Sequence, residues 1–266
     1  MNELTVLSYN IWFDETLYIE RTNSLLNTIF INNPDIICLQ EVKQNIYEIL
    51  IKQLKNYQYY FPKKINKDYG CVTFSKYPIE KCLDYQYENS SMGRSLIIIK
   101  INCPYQNLNK ESILCGKIEV IIVNSHFESL FNKNKINEIK IKQYELARNL
   151  MEILYNNYKN VILCADTNVM VHEENKFNEQ FDNNQWLDSW KYKGSNSNNY
   201  TYDSENNIYL KIKLQKCKYK SRIDRIIFKS VNLMIEEFRI LKAENEYIEP
   251  SDHFGVYNKF IFNIKN

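Results

Sequence analysis

Polar residues that can bind metal ions or transfer protons stand at the ends of several apolar, strand-like runs of this chain. Four such runs end in residues of this kind, and a fifth polar cluster, Ser251-Asp252-His253, precedes a final run. Because strand ends in a layered α/β fold gather at one rim, these residues can meet in a single pocket. The candidates are Asn10, Glu41, His126, Asp166, Asn168 and His253.

This combination of side chains restricts the chemistry. Carboxylate and amide oxygens without a thiolate suit Mg²⁺ or Mn²⁺ rather than zinc. A histidine next to an aspartate, as in Asp252-His253, can be oriented by it and can supply a proton or positive charge to a phosphate. Asparagines can position a water or a phosphate oxygen without adding negative charge. The set therefore predicts metal-assisted hydrolysis of a phosphate ester by an activated water.

Each signal has a plainer interpretation when it is taken alone. A glutamate at a strand end, such as Glu41, is commonly a solvated or helix-capping carboxylate, and Asp166 fits the aspartate of an ordinary Asx turn. The histidines carry more weight, because the chain has only three. His126 and His253 fall at these junctions, whereas His172 lies in an acidic run, where we expect it to be exposed.

Short apolar runs alternate with longer segments of helical period, which is the pattern of a layered α/β protein. We predict strands at residues 4–9, 35–40, 71–75, 95–101, 118–124, 161–165, 225–228 and 256–262. Helices are predicted at 16–31, 45–55 and 136–155, and a surface loop at 194–199. No repeat or linker interrupts the pattern, so we expect one domain over residues 1–266.

The composition excludes several classes of protein. Five glycines and five prolines among 266 residues exclude a collagen-like or linker-rich chain. The net charge of +2 gives no overall field that would attract nucleic acid or a membrane. The seven cysteines form no Cys-x-x-Cys pair, which argues against a disulfide framework or a zinc site. With no signal sequence and no membrane-length apolar run, we expect a soluble, reduced, intracellular protein.

One stretch, from Lys211 to Arg225, is strongly basic and has Asp224 as its single acidic residue. Lysines often protect the edge strand of a sheet from pairing with other chains. The same residues could instead face a phosphate backbone. The sequence favours neither interpretation over the other.

The motifs together resemble the endonuclease/exonuclease/phosphatase superfamily. The shared marks are Asn10, Leu39-Gln40-Glu41, Asp166-Thr167-Asn168 and Ser251-Asp252-His253. Further marks resemble its 5′-tyrosyl-DNA phosphodiesterase branch: Met92-Gly93-Arg94, Ser125-His126-Phe127-Glu128-Ser129, Tyr200-Thr201-Tyr202-Asp203, Arg222-Ile223-Asp224-Arg225 and Phe254-Gly255. The resemblance spans about residues 4–262 in family order. It implies a four-layer α/β/β/α sandwich of two packed mixed sheets, like that of DNase I.

The resemblance implies a role for each catalytic candidate. Glu41 would bind the metal ion, Mg²⁺ or alternatively Mn²⁺. Asp166, with Asn168 beside it, would orient or deprotonate the attacking water. Asn10 and His253 would hold the phosphate and stabilise its transition-state charge. His126 would contact the region of the scissile phosphate, and Asp252 would orient His253.

The resemblance also implies a substrate-binding surface. The 126–131 and 168–170 loops correspond to segments that contact a DNA 5′ end, and Tyr202 corresponds to an aromatic residue that packs on the terminal nucleotide. An arginine common after the Asp-Thr-Asn motif is missing, so Arg94 or the 211–225 stretch would supply a phosphate contact. The first motif reads Trp12-Phe13-Asp14 where many relatives read Asp-Gly-Leu, so the second metal carboxylate is Asp14 or is absent. The substrate-binding candidates are Asn10, Trp12, Phe13, Asp14, Arg94, His126, Glu128, Ser129, Asn168, Val169, Met170 and Tyr202.

The expected function is Mg²⁺-dependent hydrolysis of 5′-phosphotyrosyl bonds between DNA and a topoisomerase-derived peptide, a DNA-repair reaction. RNA-peptide adducts are a further possible substrate, and we expect a monomer that does not bind membranes and acts in the nucleus or the cytoplasm. Two alternatives remain at this point. One is a related nuclease or phosphatase that acts on another phosphoester, and the other is a catalytically silent relative that binds nucleic acid.

Overall fold

The computed structural model describes residues 2–109, 112–129, 137–215, 217–243 and 248–263. Within this part of the chain there are fourteen strands, which we number in chain order. They are β1 (Glu3–Asn10), β2 (Ile36–Val42), β3 (Tyr59–Phe61), β4 (Gly70–Ser75), β5 (Ile79–Gln86), β6 (Ser95–Asn109), β7 (Ser112–His126), β8 (Asn160–Asp166), β9 (Leu187–Asp188), β10 (Tyr202–Asp203), β11 (Lys220–Ser221), β12 (Asp224–Ser230), β13 (Leu233–Leu241) and β14 (Gly255–Phe262).

Helices connect these strands or cover them. The α-helices of the described residues are α1 (Tyr18–Asn32), α2 (Gln44–Gln53), α3 (Glu138–Tyr158), α4 (Glu174–Phe181), α5 (Ser189–Lys193) and α6 (Ile208–Leu214). Short 3₁₀ turns occur at Val171–Glu173, Asp182–Asn184 and Asn196–Asn198. None of the helices in the described ranges is both long and apolar enough to cross a lipid bilayer.

Two six-stranded mixed sheets form the centre of the molecule. The first has the order β13-β14-β1-β2-β4-β3, and the second has the order β5-β6-β7-β8-β12-β9. In each sheet one central pair is parallel, β1 with β2 and β7 with β8, and the other pairs are antiparallel. Strands β10 and β11 form a separate two-stranded ribbon.

The alternation of side chains along the strands explains the layers. In β1, Val6 packs between the two sheets, whereas the next residue, Leu7, packs beneath α1 and α2. In β8, Cys164 faces the other sheet, whereas Leu163 packs beneath α3. Successive residues of a strand point to opposite faces, so a strand covered on both faces reads as a continuous apolar run. The four-layer α/β/β/α sandwich expected from the sequence is confirmed.

All eight predicted strands and all three predicted helices are present, with small shifts at their ends; Ile136, the first residue of the third predicted helix, lies outside the described residues. The loop at 194–199 is on the surface and contains one 3₁₀ turn. The sequence did not indicate β5 and β13, because their exposed faces carry charged residues that interrupt an apolar pattern. The edge-strand interpretation of Lys211–Arg225 is wrong for residues 211–214, which are helical, and for Asp224 and Arg225, which begin β12 inside the second sheet. Lys220 and Ser221 form β11 of the two-stranded ribbon, and Lys216 lies outside the described residues.

The topology brings the ends of the two parallel pairs to one rim. Asn10 lies opposite Gln40 in the register of β1 and β2, and His126 lies opposite Asp166 in the register of β7 and β8. The Asn10 side chain of the first sheet donates to the Asp166 carboxylate of the second. The carboxyl ends of both pairs therefore share one site.

Candidate active site

Asp166 is at the centre of the site and is buried, with 1% of its surface exposed. Asn10 Nδ2 donates to Asp166 Oδ2 at 2.8 Å and to Glu41 Oε1 at 3.2 Å. His126 Nε2 lies 3.3 Å from Asp166 Oδ2 and 3.8 Å from Glu41 Oε1. The structure thus brings together four of the candidates, from two different sheets.

Three residues of the site have a left-handed backbone conformation that is uncommon outside glycine. Trp12, Glu41 and Asn168 have φ angles of 58°, 60° and 49°. Such strain concentrates at functional sites, where the surrounding structure holds it in place. Asn168 N donates to Asp166 Oδ1 at 3.0 Å, so the strained turn directs its amide at the central carboxylate. Ala165, the residue before Asp166, is an ordinary residue of β8 without a positive φ.

His253 is held by Asp224, and this corrects the role predicted for Asp252. His253 Nδ1 lies 2.9 Å from Asp224 Oδ2, whereas Asp252 Oδ1 is 3.8 Å from the other ring nitrogen, Nε2. Asp224 is in position because β12 pairs with β8 and places it opposite Asp166. The sequence placed Asp224 in a recognised motif, but nothing local to it indicated the contact with His253.

Two carboxylates of the site, Asp166 and Glu41, have raised pKa values. Burial raises the pKa of Asp166 to about 7, and the neighbouring charge of Asp224 adds to the rise while the His253 charge opposes it. Burial likewise raises the pKa of Glu41. An acid with a pKa near neutrality is suited to exchange protons with a water molecule at physiological pH.

The pKa values of the two histidines are shifted in opposite directions. Burial, together with the positive charges of Arg94 and His253, lowers the pKa of His126 well below its usual value. Burial also acts to lower the pKa of His253, but the contact with Asp224 outweighs it and raises the pKa to about 10. At neutral pH His126 is therefore neutral and His253 is positively charged.

The donor set fits a hard divalent cation. Possible ligand atoms of Glu41, His126 and Asp166 lie within 4.8 Å of one another, and so do those of Asp166, Asp224 and His253. The second oxygen of Asp224, Oδ1, is buried without a hydrogen-bond partner. Buried carboxylates need a compensating positive charge, and oxygen donors without a thiolate suit Mg²⁺ or Mn²⁺.

Asp14 does not join this set. Hydrogen bonds from the Thr16 side chain and from Thr16 N, which donates to Asp14 Oδ1 at 2.8 Å, lower the pKa of its carboxyl. Among the described residues it belongs to neither group of candidate metal ligands. The structure therefore puts Asp166, rather than Asp14, next to Glu41 as the second carboxylate.

Arg94 borders the site on the His126 side. It is 5% exposed, its Nη1 lies 2.8 Å from His126 Nδ1, and its guanidinium lies 5.3 Å from the centre of the Tyr69 ring. Ser129 Oγ accepts a long hydrogen bond of 3.4 Å from Arg94 Nη2. A cavity of about 180 Å³ opens here, bordered by Tyr69, Arg94, His126 and Lys64.

Glu128 is a structural anchor, contrary to its predicted contact with substrate. Its buried carboxylate accepts hydrogen bonds from Ser90 Oγ at 2.7 Å, Ser91 Oγ at 2.6 Å and Gln143 Nε2 at 3.1 Å. These bonds outweigh the effect of burial and hold the pKa of Glu128 below its usual value. The carboxylate fixes the loop that leads to Arg94. Leu130 and Phe131 of the predicted contact loop lie outside the described residues.

The other side of the site is lined by aromatic and sulfur-containing side chains. The Tyr202 ring contacts the His253 ring edge to face, with centroids 4.9 Å apart, and Met170 accepts from the Tyr219 hydroxyl at 3.4 Å. Tyr202 and Met170 are half-buried, so both remain accessible. Val169 is 1% exposed and belongs to the core beneath α3, so the prediction that its side chain binds substrate is wrong.

Trp12 and Phe13 form the rim beside Glu41. Phe13 is 43% exposed and stacks on Tyr69 with ring centroids 4.6 Å apart. Trp12 is half-buried and covers the guanidinium of Arg21 at 4.4 Å from the ring centre. Both remain available as an aromatic wall at the entrance.

The basic 211–225 stretch contributes little positive charge to the site. Arg222 and Arg225 are buried in ion pairs with Asp188 and Glu174. Among the described residues of the stretch, Lys213 reaches the site, with its Nζ 3.5 Å from Asp252 Oδ2. These two buried arginines therefore do not form part of a phosphate-facing patch.

Comparisons with known proteins identify a family and several relatives. A family model described as the Endonuclease/Exonuclease/phosphatase family matches residues 7–253. A 5′-tyrosyl-DNA phosphodiesterase of Caenorhabditis briggsae is 29% identical over 130 residues, which are 48% of this chain and 34% of that protein. Tyrosyl-DNA phosphodiesterase 2 of Rattus norvegicus is 25% identical over 256 residues, which cover 89% of this chain and 61% of that protein. The matches thus span less than two thirds of either relative.

Solved structures share the fold. The crystal structure of D. rerio TDP2 complexed with single strand DNA product has a TM-score of 0.78 and 20% identity, and the match covers 98% of this chain and 99% of that chain. The structure of a truncated Caenorhabditis elegans TDP2 has a TM-score of 0.77 and 20% identity, and the match covers 97% of this chain and 98% of that chain. The structure of a Bacteroides thetaiotaomicron mannosyl-6-phosphatase has a TM-score of 0.70 and 17% identity, and the match covers 97% of this chain and 100% of that chain. At these identities the likeness concerns the fold, which phosphodiesterases and phosphatases share.

Proposed function

Because the chain belongs to the Endonuclease/Exonuclease/phosphatase family, we propose that it hydrolyses 5′-phosphotyrosyl bonds in DNA with the help of Mg²⁺. The observation that carries this proposal is the arrangement around Asp166, a buried carboxylate with a pKa near 7 between a neutral and a charged histidine. The names of the two curated relatives support the choice of a 5′-tyrosyl bond.

Asp166 is suited to activate the attacking water. Asn10 Nδ2 and Asn168 N donate to its two oxygens and fix the carboxylate in one orientation. With a pKa raised to about 7, this carboxylate accepts a proton from water more readily than an ordinary aspartate. The water oxygen forms the new bond to phosphorus as the bond from phosphorus to the tyrosine oxygen breaks.

His253 is suited to stabilise the negative charge of the phosphoryl group. Its positive charge is held by Asp224 and sits in a buried site, where electrostatic interactions are stronger than in water. The tyrosine leaving group is a phenol, whose oxygen tolerates negative charge better than an alcohol. A strong general acid is therefore not required for this leaving group.

Glu41, whose ligand atoms lie within 4.8 Å of those of His126 and Asp166, is the carboxylate that would hold the metal ion. When bound, such an ion supplies positive charge that polarises the phosphoryl oxygens and lowers the pKa of a bound water. Glu41 is kept in place by Phe13 N, which donates to its Oε2 at 3.0 Å, and by Asn10. Its strained backbone directs the carboxylate to the side of the site where Asn10 and His126 lie.

Two flanks of the site suit the two parts of the substrate. The cavity beside Tyr69, Arg94 and His126 has room for the tyrosyl side, with a buried cation beside an aromatic ring. The opposite flank, with Tyr202 and Met170, offers an aromatic face on which a terminal nucleotide can stack whatever its base. We propose that the protein acts on DNA ends as a monomer. We also propose that 5′-linked RNA adducts bind at the same two flanks.

The direct test is incubation of the purified protein with a 5′-phosphotyrosyl oligonucleotide and Mg²⁺. We expect release of tyrosine and a 5′-phosphorylated oligonucleotide, loss of turnover in EDTA, and recovery with Mg²⁺ or Mn²⁺. Asp166→Asn should abolish turnover, whereas Asp182→Asn, a surface control paired with Lys191, should not. No release by the native protein would refute the proposal.

Parallel substrates separate this function from its relatives. An abasic duplex, a phosphosugar and a phosphotyrosyl RNA are assayed at the same concentration as the DNA adduct. Preference for the abasic duplex or the phosphosugar would assign the protein to another branch of the family. Binding of DNA without turnover of any of these substrates would favour a silent relative.

A further inference from the structure

The guanidinium of Arg21, in the first turn of α1, is buried and is held by main-chain oxygens. It is 3% exposed, and the ion pairs of the described residues include none to it. Its donors are instead satisfied by main-chain carbonyls. They are those of Ile11 at 2.6 Å, Asp14 at 2.8 Å, Thr16 at 3.0 Å and Pro250 at 3.1 Å, with a short bond to that of Trp12.

Two of these carbonyls belong to peptide groups whose N–H reaches the active site. The Ile11 carbonyl shares a peptide group with Trp12 N, which donates to Asn10 Oδ1 at 2.9 Å. The Trp12 carbonyl shares one with Phe13 N, which donates to Glu41 Oε2 at 3.0 Å. A single nitrogen of Arg21, Nη2, donates to both carbonyls.

A peptide group is planar, so fixing its carbonyl also fixes the direction of its N–H. Hydrogen bonds in such a chain polarise one another, and a cation at the carbonyl end strengthens the donor at the other end. With its oxygen anchored by Trp12 N, Asn10 directs its Nδ2 at Glu41 and Asp166. The left-handed conformation of Trp12, with φ of 58°, needs support of this kind.

Arg21 also connects this turn to the segment that carries His253. Its Nε donates to the carbonyl of Pro250, the residue before Ser251-Asp252-His253. The side chain therefore spans the loop after β1 and the loop before β14, which supply residues to opposite parts of the site. The Trp12 ring covers the guanidinium and keeps water away from it.

We propose that Arg21 is a positioning residue for hydrolysis, which orients Asn10 and Glu41 through the peptide groups of Trp12 and Phe13. This inference rests on the proposed function, because it concerns the same site. Lysine has a compact ammonium with three donors and cannot span these carbonyls as the planar guanidinium does.

The test compares Arg21→Lys and Arg21→Ala with controls of two kinds. We expect Arg21→Lys to lower kcat about 10- to 100-fold with little change in KM, the effect of a small displacement of reacting groups. Free guanidinium at low concentration should restore part of the kcat of Arg21→Ala. Arg239→Lys, an arginine that stacks on Tyr257 and contacts Asn32 at the far end of α1, should keep its kcat.

A merely structural role would give a different pattern. Ile29→Ala removes a core side chain from the same helix, and we expect it to lower Tm without changing the kcat of the folded protein. If Arg21→Lys behaves in the same way, with Tm lowered and kcat kept, the inference is overturned. It is also overturned if guanidinium does not raise the kcat of folded Arg21→Ala.

A crystal structure of Arg21→Lys decides the inference without activity. We expect the Trp12 or Phe13 peptide to rotate and its bond to Asn10 or Glu41 to lengthen, and unchanged geometry would overturn the inference. If the native protein hydrolyses none of the substrates, the proposed function fails, while this structural comparison still decides the role of Arg21.

Discussion

The two histidines of the active site are similar in burial, but one is neutral and the other is positively charged. His126 is 3% exposed and His253 is 6% exposed, and both have a ring nitrogen close to Asp166. Behind His126 lies the guanidinium of Arg94, 2.8 Å from Nδ1. Behind His253 lies the carboxylate of Asp224, 2.9 Å from Nδ1. Burial lowers the pKa of both rings; Arg94 adds to this effect at His126, whereas Asp224 outweighs it at His253.

The same contacts decide which atoms carry protons. A guanidinium can only donate hydrogen bonds, so His126 Nδ1 must accept and the proton of the neutral ring lies on Nε2, toward Asp166. A carboxylate accepts, so His253 carries a proton on Nδ1. His126 thus helps to orient Asp166 as a donor, and His253 brings positive charge to the phosphate. One residue type performs two tasks because its partners differ.

The first prediction separates these two tasks by removing each ring. His253→Gln should lower kcat about 10³-fold, because it removes a preorganised positive charge from a buried site. His126→Gln should lower it about 10²-fold, because a neutral amide can still donate to Asp166. The measurement is single-turnover hydrolysis of the phosphotyrosyl oligonucleotide at saturating Mg²⁺.

The exposed His172 supplies the control for this comparison. His172→Gln should leave kcat unchanged, and far-ultraviolet circular dichroism should show that all three variants are folded. A larger loss for His126→Gln than for His253→Gln would reverse the assignment of roles.

The second prediction changes the partner of His253 and leaves the ring in place. Asp224→Asn removes the carboxylate that raises the pKa of His253 to about 10, so the ring loses its proton at a lower pH. Positive charge is then lost within the working range, and we expect kcat at pH 8 to fall about 10²-fold and to recover partly as the pH is lowered. The nitrogen shifts of His253 in an NMR titration report its pKa directly.

Asp252→Asn is the matched variant, because Asp252 lies 3.8 Å from the opposite ring nitrogen. It should move the pKa of His253 by less than Asp224→Asn does. Equal shifts in the two variants would show that the direct contact with Nδ1 is not what keeps this ring charged.

The sequence was sufficient to predict the parts of this site that depend on local pattern. Strands buried on both faces read as apolar runs, and the polar residue at the end of a run marked Asn10, Glu41, His126 and Asp166. The layered fold followed from the alternation of such runs with helical segments. Exposed strands such as β5 lacked this signal, because residues that face solvent do not need to be apolar.

The residues behind the histidines could not be predicted in the same way. Asp224 reaches His253 only through the antiparallel register of β12 with β8. The partners of Arg21 are main-chain carbonyls, which every residue has, so no side-chain motif indicates them. Glu128 appeared in a recognised motif, but its hydrogen bonds to Ser90 and Ser91 depend on a loop far away in sequence.

The third prediction concerns the carboxylate that the two histidines share. The pKa of Asp166 is raised to about 7 in the folded protein, above its usual value of 3.8. The protonated carboxyl therefore contributes stability that is lost as the pH rises from about 4 to about 7 and is absent above about 7. Asp166→Asn cannot ionise. In EDTA, we expect its stability relative to the native protein to increase by about 3 kcal/mol between pH 5 and pH 8, measured by urea unfolding.

Mg²⁺ should reverse this advantage, because an ion that binds only the native state stabilises it. The native protein should therefore gain more stability from Mg²⁺ than Asp166→Asn does. The surface variant Asp182→Asn controls for a change of net charge. A relative stability of Asp166→Asn that did not depend on pH would contradict the raised pKa.

The smallest expected effect distinguishes the cations on the two sides of the site. Arg94, beside His126, is 5% exposed, whereas the Lys213 side chain, near Asp252 and His253, is 52% exposed. An exposed charge is screened by salt and contributes little to stability, but it attracts a phosphate backbone. Lys213→Gln should therefore raise the KM for the oligonucleotide about twofold at physiological salt and more at low salt, with kcat unchanged.

The control is Lys176, an exposed lysine on α4, and Lys176→Gln should leave KM unchanged. A loss that did not depend on salt would mean that Lys213 acts on the geometry of Asp252 instead of attracting the substrate from solution.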